Sequence, residues 1–396
     1  MTAARSLAPS AARGLLLAAV LLYALNLRAP ITALAPVVDD VRADLGLSAA
    51  TVGLLTGIPV LCFALATPLM AVLLGRLGTG RVVAASLVTV LVGTLLRSAD
   101  GFGTALVGTV LIGVAITAGN VAVPVVIGRD FPGHVPRVTG LYTAALNAGS
   151  VLTTTLTAPL AEVVGWRWAL ASWGLLAVVA LVVWQKAYPF ARAEPVALVT
   201  ASTAPDVWRR PVTWFLAVAF AGQAFGYYAV SAWLPSVLHD TLGLERAASG
   251  GAAALFQLFG MVGGIAVPIA LGRRAPVAAV AAAIAVGWMA LPLGLLLAPQ
   301  WWPVWCTFAG VAQGGNFAVI FTVIASSAGS QAAARRMSAT VQSLGYGCAA
   351  LGPSVLGAVH ASSGGWTAPL LVVLAAVLTM GVATGLGLRS MRRETS

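Results

Sequence analysis

Residues 15–38 read LLLAAVLLYALNLRAPITALAPVV, an apolar run interrupted by one charge, Arg28, near its centre. Crossing a bilayer core takes roughly 17–25 apolar residues at 1.5 Å rise, and this run is long enough. A guanidinium at mid-span costs roughly 2.5–3.5 kcal/mol on insertion scales, so such a group turns to a water-filled interior and meets an anion or a ring of acceptors. The stretch therefore places the chain in a membrane and places Arg28 on an interior face.

The rest of the chain agrees. Hydrophobic residues make up 60% and charged residues 8%, against about 25% charged in soluble domains, so the chain cannot cover a globular surface with polar groups. Charge-free stretches of one crossing each run over Leu45–Gly75, Val82–Leu96, Gly101–Gly128, Val138–Ala161, Trp168–Gln185, Pro211–Leu238 and Ala247–Gly272. Ala275–Ala334 and Met337–Leu388 are twice too long, and each is expected to fold back once, at Gln300–Pro303 and Ser362–Gly365. With Leu15–Val38 the total is twelve helices, an all-α polytopic membrane protein.

The net charge of +11 is not a nucleic-acid signal, because the basic residues stand in ones and twos between apolar runs. With the N-terminus inside, every Lys and Arg outside the spans falls on cytoplasmic loops except Arg42, Arg97, Arg167 and Arg246. That asymmetry predicts both termini in the cytoplasm of a cell-membrane protein. It also leaves Arg28 as the only basic residue expected at depth. The cysteines Cys62, Cys306 and Cys348 lie in spans and carry no redox signal, and the N-terminal apolar run is too long for a signal peptide and reads as the retained first helix.

Ala187–Trp208, with three prolines and several charges, divides the chain into expected units 1–186 and 211–396 joined by a linker at 187–210. The halves repeat weakly. Pro36 pairs with Pro235, Leu45-Gly46-Leu47 with Leu242-Gly243-Leu244, Gly75-Arg76 with Gly272-Arg273, Gly119-Asn120 with Gly315-Asn316 and Gly165-Trp166 with Gly365-Trp366, at offsets between 196 and 200. Such a duplicated six-helix unit is a transporter signature. It sets Tyr227 opposite Arg28, Ser231 opposite Thr32, and Asn120 facing Asn316.

Several stretches resemble the Major Facilitator Superfamily and, within it, the cyanate and 2-nitroimidazole transporters: Asn26-Leu27-Arg28-Ala29-Pro30-Ile31-Thr32, Asp44–Ser48, Gly53–Thr56 with Pro59–Phe63, Gly119-Asn120, Arg129-Asp130-Phe131-Pro132, Thr139–Tyr142, Gly165–Leu170 and Trp233-Leu234-Pro235. The resemblance implies two pseudo-symmetric six-helix bundles around a cavity lined mainly by helices 1, 4, 7 and 10. It also implies alternating access by rocking. In the loop between helices 2 and 3 the chain keeps Arg76 and Gly78 but carries Gly75 where the superfamily has an acid, so Arg76 is left to bond helix C-terminal carbonyls at the gate.

Polar side chains near mid-span form a short set of candidate substrate contacts: Arg28, Thr32, Asn120, Asn147, Gln223, Tyr227, Gln257, Gln313, Asn316, Gln342 and Tyr346. Several share helical faces at spacings of three or four. Each has a plainer alternative: a structural arginine at the Pro30 and Pro36 breaks for Arg28, interhelical glue for the asparagines. Asn26 and Tyr228 point away from these faces and are assigned to packing. No Asp, Glu or His lies deep in a span, so a proton would travel with the substrate or use Asp39 or Glu162 near the outer mouth.

The reading is a secondary or facilitative transporter, acting as a monomer on a small anion or compact polar solute, cyanate-like or nitroheterocycle-like. A multidrug exporter is the alternative within the class, disfavoured by the missing acid. A channel or membrane sensor stands outside it. No metal-ligand cluster or Ser/His pair at depth supports an enzyme, and no cofactor is called for.

Overall fold

Proline decides how the first crossing is built. The computed structural model describes residues 10–132, 134–188, 207–328 and 330–395, and most of the expected linker, together with Arg5 and Arg192, lies outside the described residues. Helix α1 (Ser10–Asn26) stops two residues before Arg28, α2 (Ala29–Thr32) starts with Pro30 in its first turn, a 3-10 turn spans Ala35–Val37 around Pro36, and α3 (Val38–Asp44) completes the crossing. Each proline lacks an N–H and removes one bond from a helical ladder, and here, unlike at Pro235 inside α8, the ladder stops near both, so the span is one crossing but not one helix. The break leaves backbone carbonyls needing donors.

One of those carbonyls overturns a sequence expectation. Arg97, expected in an outer loop, is 1% exposed, and its Nη1 donates to the Pro30 carbonyl at 2.5 Å. Arg28 is therefore not the only buried cation. The broken helix supplies an acceptor that an unbroken one would have used itself.

Helix α4 (Ala49–Arg97) holds 49 residues, which as one rod would be about 74 Å long, more than twice the hydrocarbon thickness. It reverses at Gly78 (φ 78°), and α6 (Val135–Ser172), continued by α7 (Gly174–Ala187), reverses at Gly165 (φ 79°). Between them lies α5 (Phe102–Asp130). The second half comprises α8 (Pro211–Leu242), α9 (Arg246–Gly272), α10 (Val277–Leu297), α11 (Trp302–Ser327), the interrupted pair α12 (Gln331–Ala349) and α13 (Gly352–Ser363), and α14 (Thr367–Thr395). Among the described residues nine helical stretches are long and apolar enough to cross a membrane. Two of these cross twice, and α12 with α13 adds another crossing, so the architecture is twelve crossings in two six-helix groups. Exposed Leu65, Val163, Leu175, Val286 and Leu297 give the outer surface the apolar character lipid requires.

The repeat reappears in the backbone. Left-handed residues occur in matching turns, Gly46 with Gly243, Gly78 with Arg274 and Gly165 with Gly364. Positive φ recurs at the same places in each half, although ψ differs, 157° at Gly165 against 13° at Gly364.

The face opposite Ser10 and Thr395 is sealed. The first turns of α4 pack on α13 so closely that a Cβ on Gly57 would overlap the Ala350 carbonyl oxygen, and one on Gly53 would lie 2.7 Å from the Pro353 and Ser354 backbone. The Ser236 hydroxyl donates to Asp39 at 3.0 Å, and Asp40 pairs with Arg246, so both acids link the first half to the second. Substituting Gly57→Val is expected to cost about 1–3 kcal/mol of this packing. The check is a cysteine placed by Ser354→Cys in a background without the native cysteines. It is expected to react faster with an impermeant maleimide in the protein that also carries Gly57→Val than in the one that keeps Gly57.

Candidate functional site

Between the two helix groups lies a cavity of about 1070 Å³. Its lining runs from Arg28 and Thr32 past Thr117, Asn120 and Tyr227 to Thr139, Gly140, Pro268 and Ser338, which lie toward the face carrying Ser10 and Thr395. The cavity thus opens to that face, while the opposite one is sealed. Helices α4, α6, α9 and α12 line it as well as the four expected.

Arg28 sits at the break between α1 and α2 with φ −126° and ψ −33°, so its side chain leaves a non-helical corner rather than a helical stripe. Its Nη1 donates to Asn147 Oδ1 at 3.2 Å and to the Tyr227 hydroxyl at 2.8 Å, and its guanidinium carbon is 5.0 Å from the Tyr227 ring centre. Asn147 reaches Arg28 because α6 presses on α1 at Gly149, where a Cβ would overlap the Leu25 carbonyl oxygen. The Tyr227 hydroxyl donates onward to Gln257 Oε1 at 3.1 Å, and Gln257 Nε2 donates to Ser231 at 3.0 Å. This directed chain fixes the tyrosine oxygen as an acceptor for the cation. Among the described residues that line the cavity, Arg28 is the one charged side chain.

The structure gathers most of the expected polar set. Thr32, Asn120, Asn147, Tyr227, Gln313, Gln342 and Tyr346 line the cavity with Arg28. Thr32 bonds Thr153 at 2.9 Å, Gln342 bonds Ser338 at 2.8 Å, and the buried Gln313 Nε2 has no partner among the described residues. Gln257 stands one layer back, holding Tyr227.

Three expected substrate contacts are corrected: Gln257, set behind Tyr227 and off the cavity wall, and two more. Gln223 is fully buried away from the cavity, accepting from Trp288 Nε1 at 2.7 Å and donating to the Gln313 carbonyl at 3.1 Å. Asn316 does not face Asn120. Its amide turns outward to the Met380 sulfur at 3.5 Å while Asn120 is exposed in the cavity. Equivalent positions in a repeat share depth, but the neighbouring helix decides which way a side chain turns.

Sequence reasoning missed Tyr142 and misassigned Tyr228; both line the cavity. The lined arc of α8 is wider than a single stripe, so a residue next to Tyr227 still reaches it. Tyr227 and Tyr228 meet edge to face at 5.0 Å, and Tyr346 does so with Phe63 at 5.5 Å. The assignment of Asn26 to packing agrees with its bonds to the Leu22 and Leu176 carbonyls at 2.9 and 3.2 Å.

Residues 16–353 match the family model described as Major Facilitator Superfamily. The chain belongs to this superfamily. A 2-nitroimidazole transporter of Escherichia coli K12 is 32% identical over 374 residues, covering 93% of this chain and 94% of the relative. A transporter of Bacillus subtilis 168, YycB, whose function is uncharacterized, is 32% identical over 378 residues, 93% and 92% of the two chains. The cyanate transport protein CynX of Escherichia coli K12 is 29% identical over 354 residues, 89% and 91%. An inward-facing, unoccupied crystal structure of a bacterial homolog of the lysosomal transporter Spinster superposes with TM-score 0.71 at 17% identity, covering 97% of this chain and 98% of that one. A D-xylose–proton symporter gives TM-score 0.71 at 13% identity, 93% and 97%. Fold and family are those of transporters.

The superfamily's gate loop departs from its pattern here. Arg76 is exposed and has no hydrogen bond or ion pair with a described residue, so the expected carbonyl contacts are not made. The turn beside it is tied instead through Tyr188, whose hydroxyl receives Thr79 at 3.2 Å and Arg129 at 2.7 Å, while Arg129 forks onto Asp130 at 2.9 and 2.6 Å.

Gln223→Leu leaves the Trp288 N–H without its acceptor. It is expected to cost about 1–3 kcal/mol of stability in thermal unfolding while ligand affinity, measured by titration, stays at the parent value.

Proposed function

We propose that this chain is a secondary transporter of a small anion or compact polar solute, bound at Arg28 and exposed alternately to the two faces of the membrane. The observation that carries this is the lone cation of the cavity wall, held by one group from each half. A guanidinium in a low-dielectric cavity with no facing acid favours charge neutralisation by what enters. Its counter-ion is the cargo. The names of two relatives supply candidates, a nitroheterocycle and cyanate.

Residues 1–186 and 211–396 then rock as halves about the linker 187–210, with the substrate drawing Arg28 and Tyr227 into one site. With the basic loops on the cytoplasmic side, the cavity is open inward, and Arg76 stands at that open gate ready for a partner when it closes. One chain encloses the whole cavity, so a monomer is the transporting unit. A multidrug exporter for lipophilic cations is disfavoured by the same positive wall.

Arg28→Ala is expected to weaken the binding of anionic ligands by about 10–100-fold. Thermal stabilisation of purified protein by small anions and nitroheterocycles, paired with saturable uptake into proteoliposomes, measures this. If Arg28→Ala bound every ligand as the parent does, the assignment would fail.

A further inference from the structure

Arg28 uses only one corner of its guanidinium. Both of its side-chain hydrogen bonds leave from Nη1, one to Asn147 and one to Tyr227. Nε and Nη2 have no partner among the described residues, yet they are not among the buried unpaired atoms, whereas the same two nitrogens of Arg97 are. They therefore reach the cavity surface. Two of their N–H groups run side by side along one edge of a plane, a fork whose geometry matches two oxygens on one atom.

The plane of that fork is fixed. Asn147 comes from the first half and Tyr227 from the second, and Gln257 and Ser231 hold the tyrosine in turn. The guanidinium cannot turn to meet a ligand without losing Nη1 contacts. A linear anion presents one terminal atom and can satisfy only part of the fork, whereas a carboxylate or nitro group satisfies both N–H groups at once.

The chemistry of the surrounding wall bears on what carries the head group. Tyr142, Tyr228, Tyr346, Phe63 and Phe317 give the wall flat aromatic faces and edges. A cavity of about 1070 Å³, open to one face, leaves room beside Arg28 for a ring as well as for a triatomic anion. Resting on the assignment of Arg28 as the substrate site, we propose that the transporter selects a planar two-oxygen head group, carboxylate or nitro, carried on a flat ring, over linear anions.

The test is titration of purified full-length protein in nanodiscs with benzoate, 2-nitroimidazole and cyanate, using the parent, Arg28→Lys and Arg28→Ala. Lysine keeps the charge and removes the fork. The parent is expected to bind benzoate or 2-nitroimidazole at least about tenfold tighter than cyanate, and Arg28→Lys to lose about tenfold for the ring ligands with less than about threefold change for cyanate. Benzoate alone binding tightly identifies a charged head; both binding identifies planarity as sufficient. A parent that prefers cyanate or binds neither ring ligand overturns the inference, as does Arg28→Lys binding the ring ligands as tightly as the parent. Unchanged binding in Arg28→Ala instead overturns the site itself. Tyr227→Phe supplies a variant that keeps the arginine: freeing the plane is expected to narrow the preference for ring ligands over cyanate at least about threefold, and an unchanged preference counts against the fork.

Discussion

The hydrogen bond from Arg28 to Tyr227, 2.8 Å long and spanning 199 residues of sequence, is the contact on which the site depends. A cation in the middle of a membrane protein is tolerated only with acceptors or water around it. This one gets its acceptors from both halves, Asn147 on one side and Tyr227 on the other. The proposed substrate site and the seam between the halves are consequently the same place. Whatever occupies the guanidinium's free edge acts on the junction about which the halves would move.

The rest of the architecture makes that junction accessible from one side. Close helix approach at Gly53 and Gly57 and the contacts of Asp39 and Asp40 shut one face, while the cavity runs from Arg28 toward the other. The broken first crossing serves both ends of this arrangement. Its corner at residues 27–28 turns Arg28 into the cavity, and its freed Pro30 carbonyl takes the Arg97 guanidinium toward the sealed end. Two prolines thus do in one helix what an unbroken rod could not.

How much of this was legible in the sequence follows from what each signal encodes. Apolar length and the positions of Gly and Pro encode the crossings, and the repeat offset alone pairs Arg28 with Tyr227, because duplicated helices keep depth. Side-chain direction is another matter. Gln223 and Asn316 had the right depth but met Trp288 and Met380, which no periodicity reveals. Tyr228 lay outside a single helical stripe, yet the cavity arc is wide enough to include it. Arg97 read as a loop residue because the acceptor that buries it exists only where α2 stops at Thr32 and leaves the Pro30 carbonyl without the N–H of a further helical turn. Arg76 was given a role by its position in a family loop, and its exposed side chain does not make the carbonyl contacts that role requires.

The most direct measurement is an experimental structure of the protein with a heavy-atom-labelled ligand, such as 4-iodobenzoate, located by its anomalous signal. The iodine is expected inside the cavity among Tyr142, Tyr228 and Tyr346, with the carboxylate on the Nε and Nη2 edge of Arg28. A ligand found elsewhere in the cavity, or a carboxylate that leaves that edge vacant, would contradict the assignment of Arg28 as the substrate site.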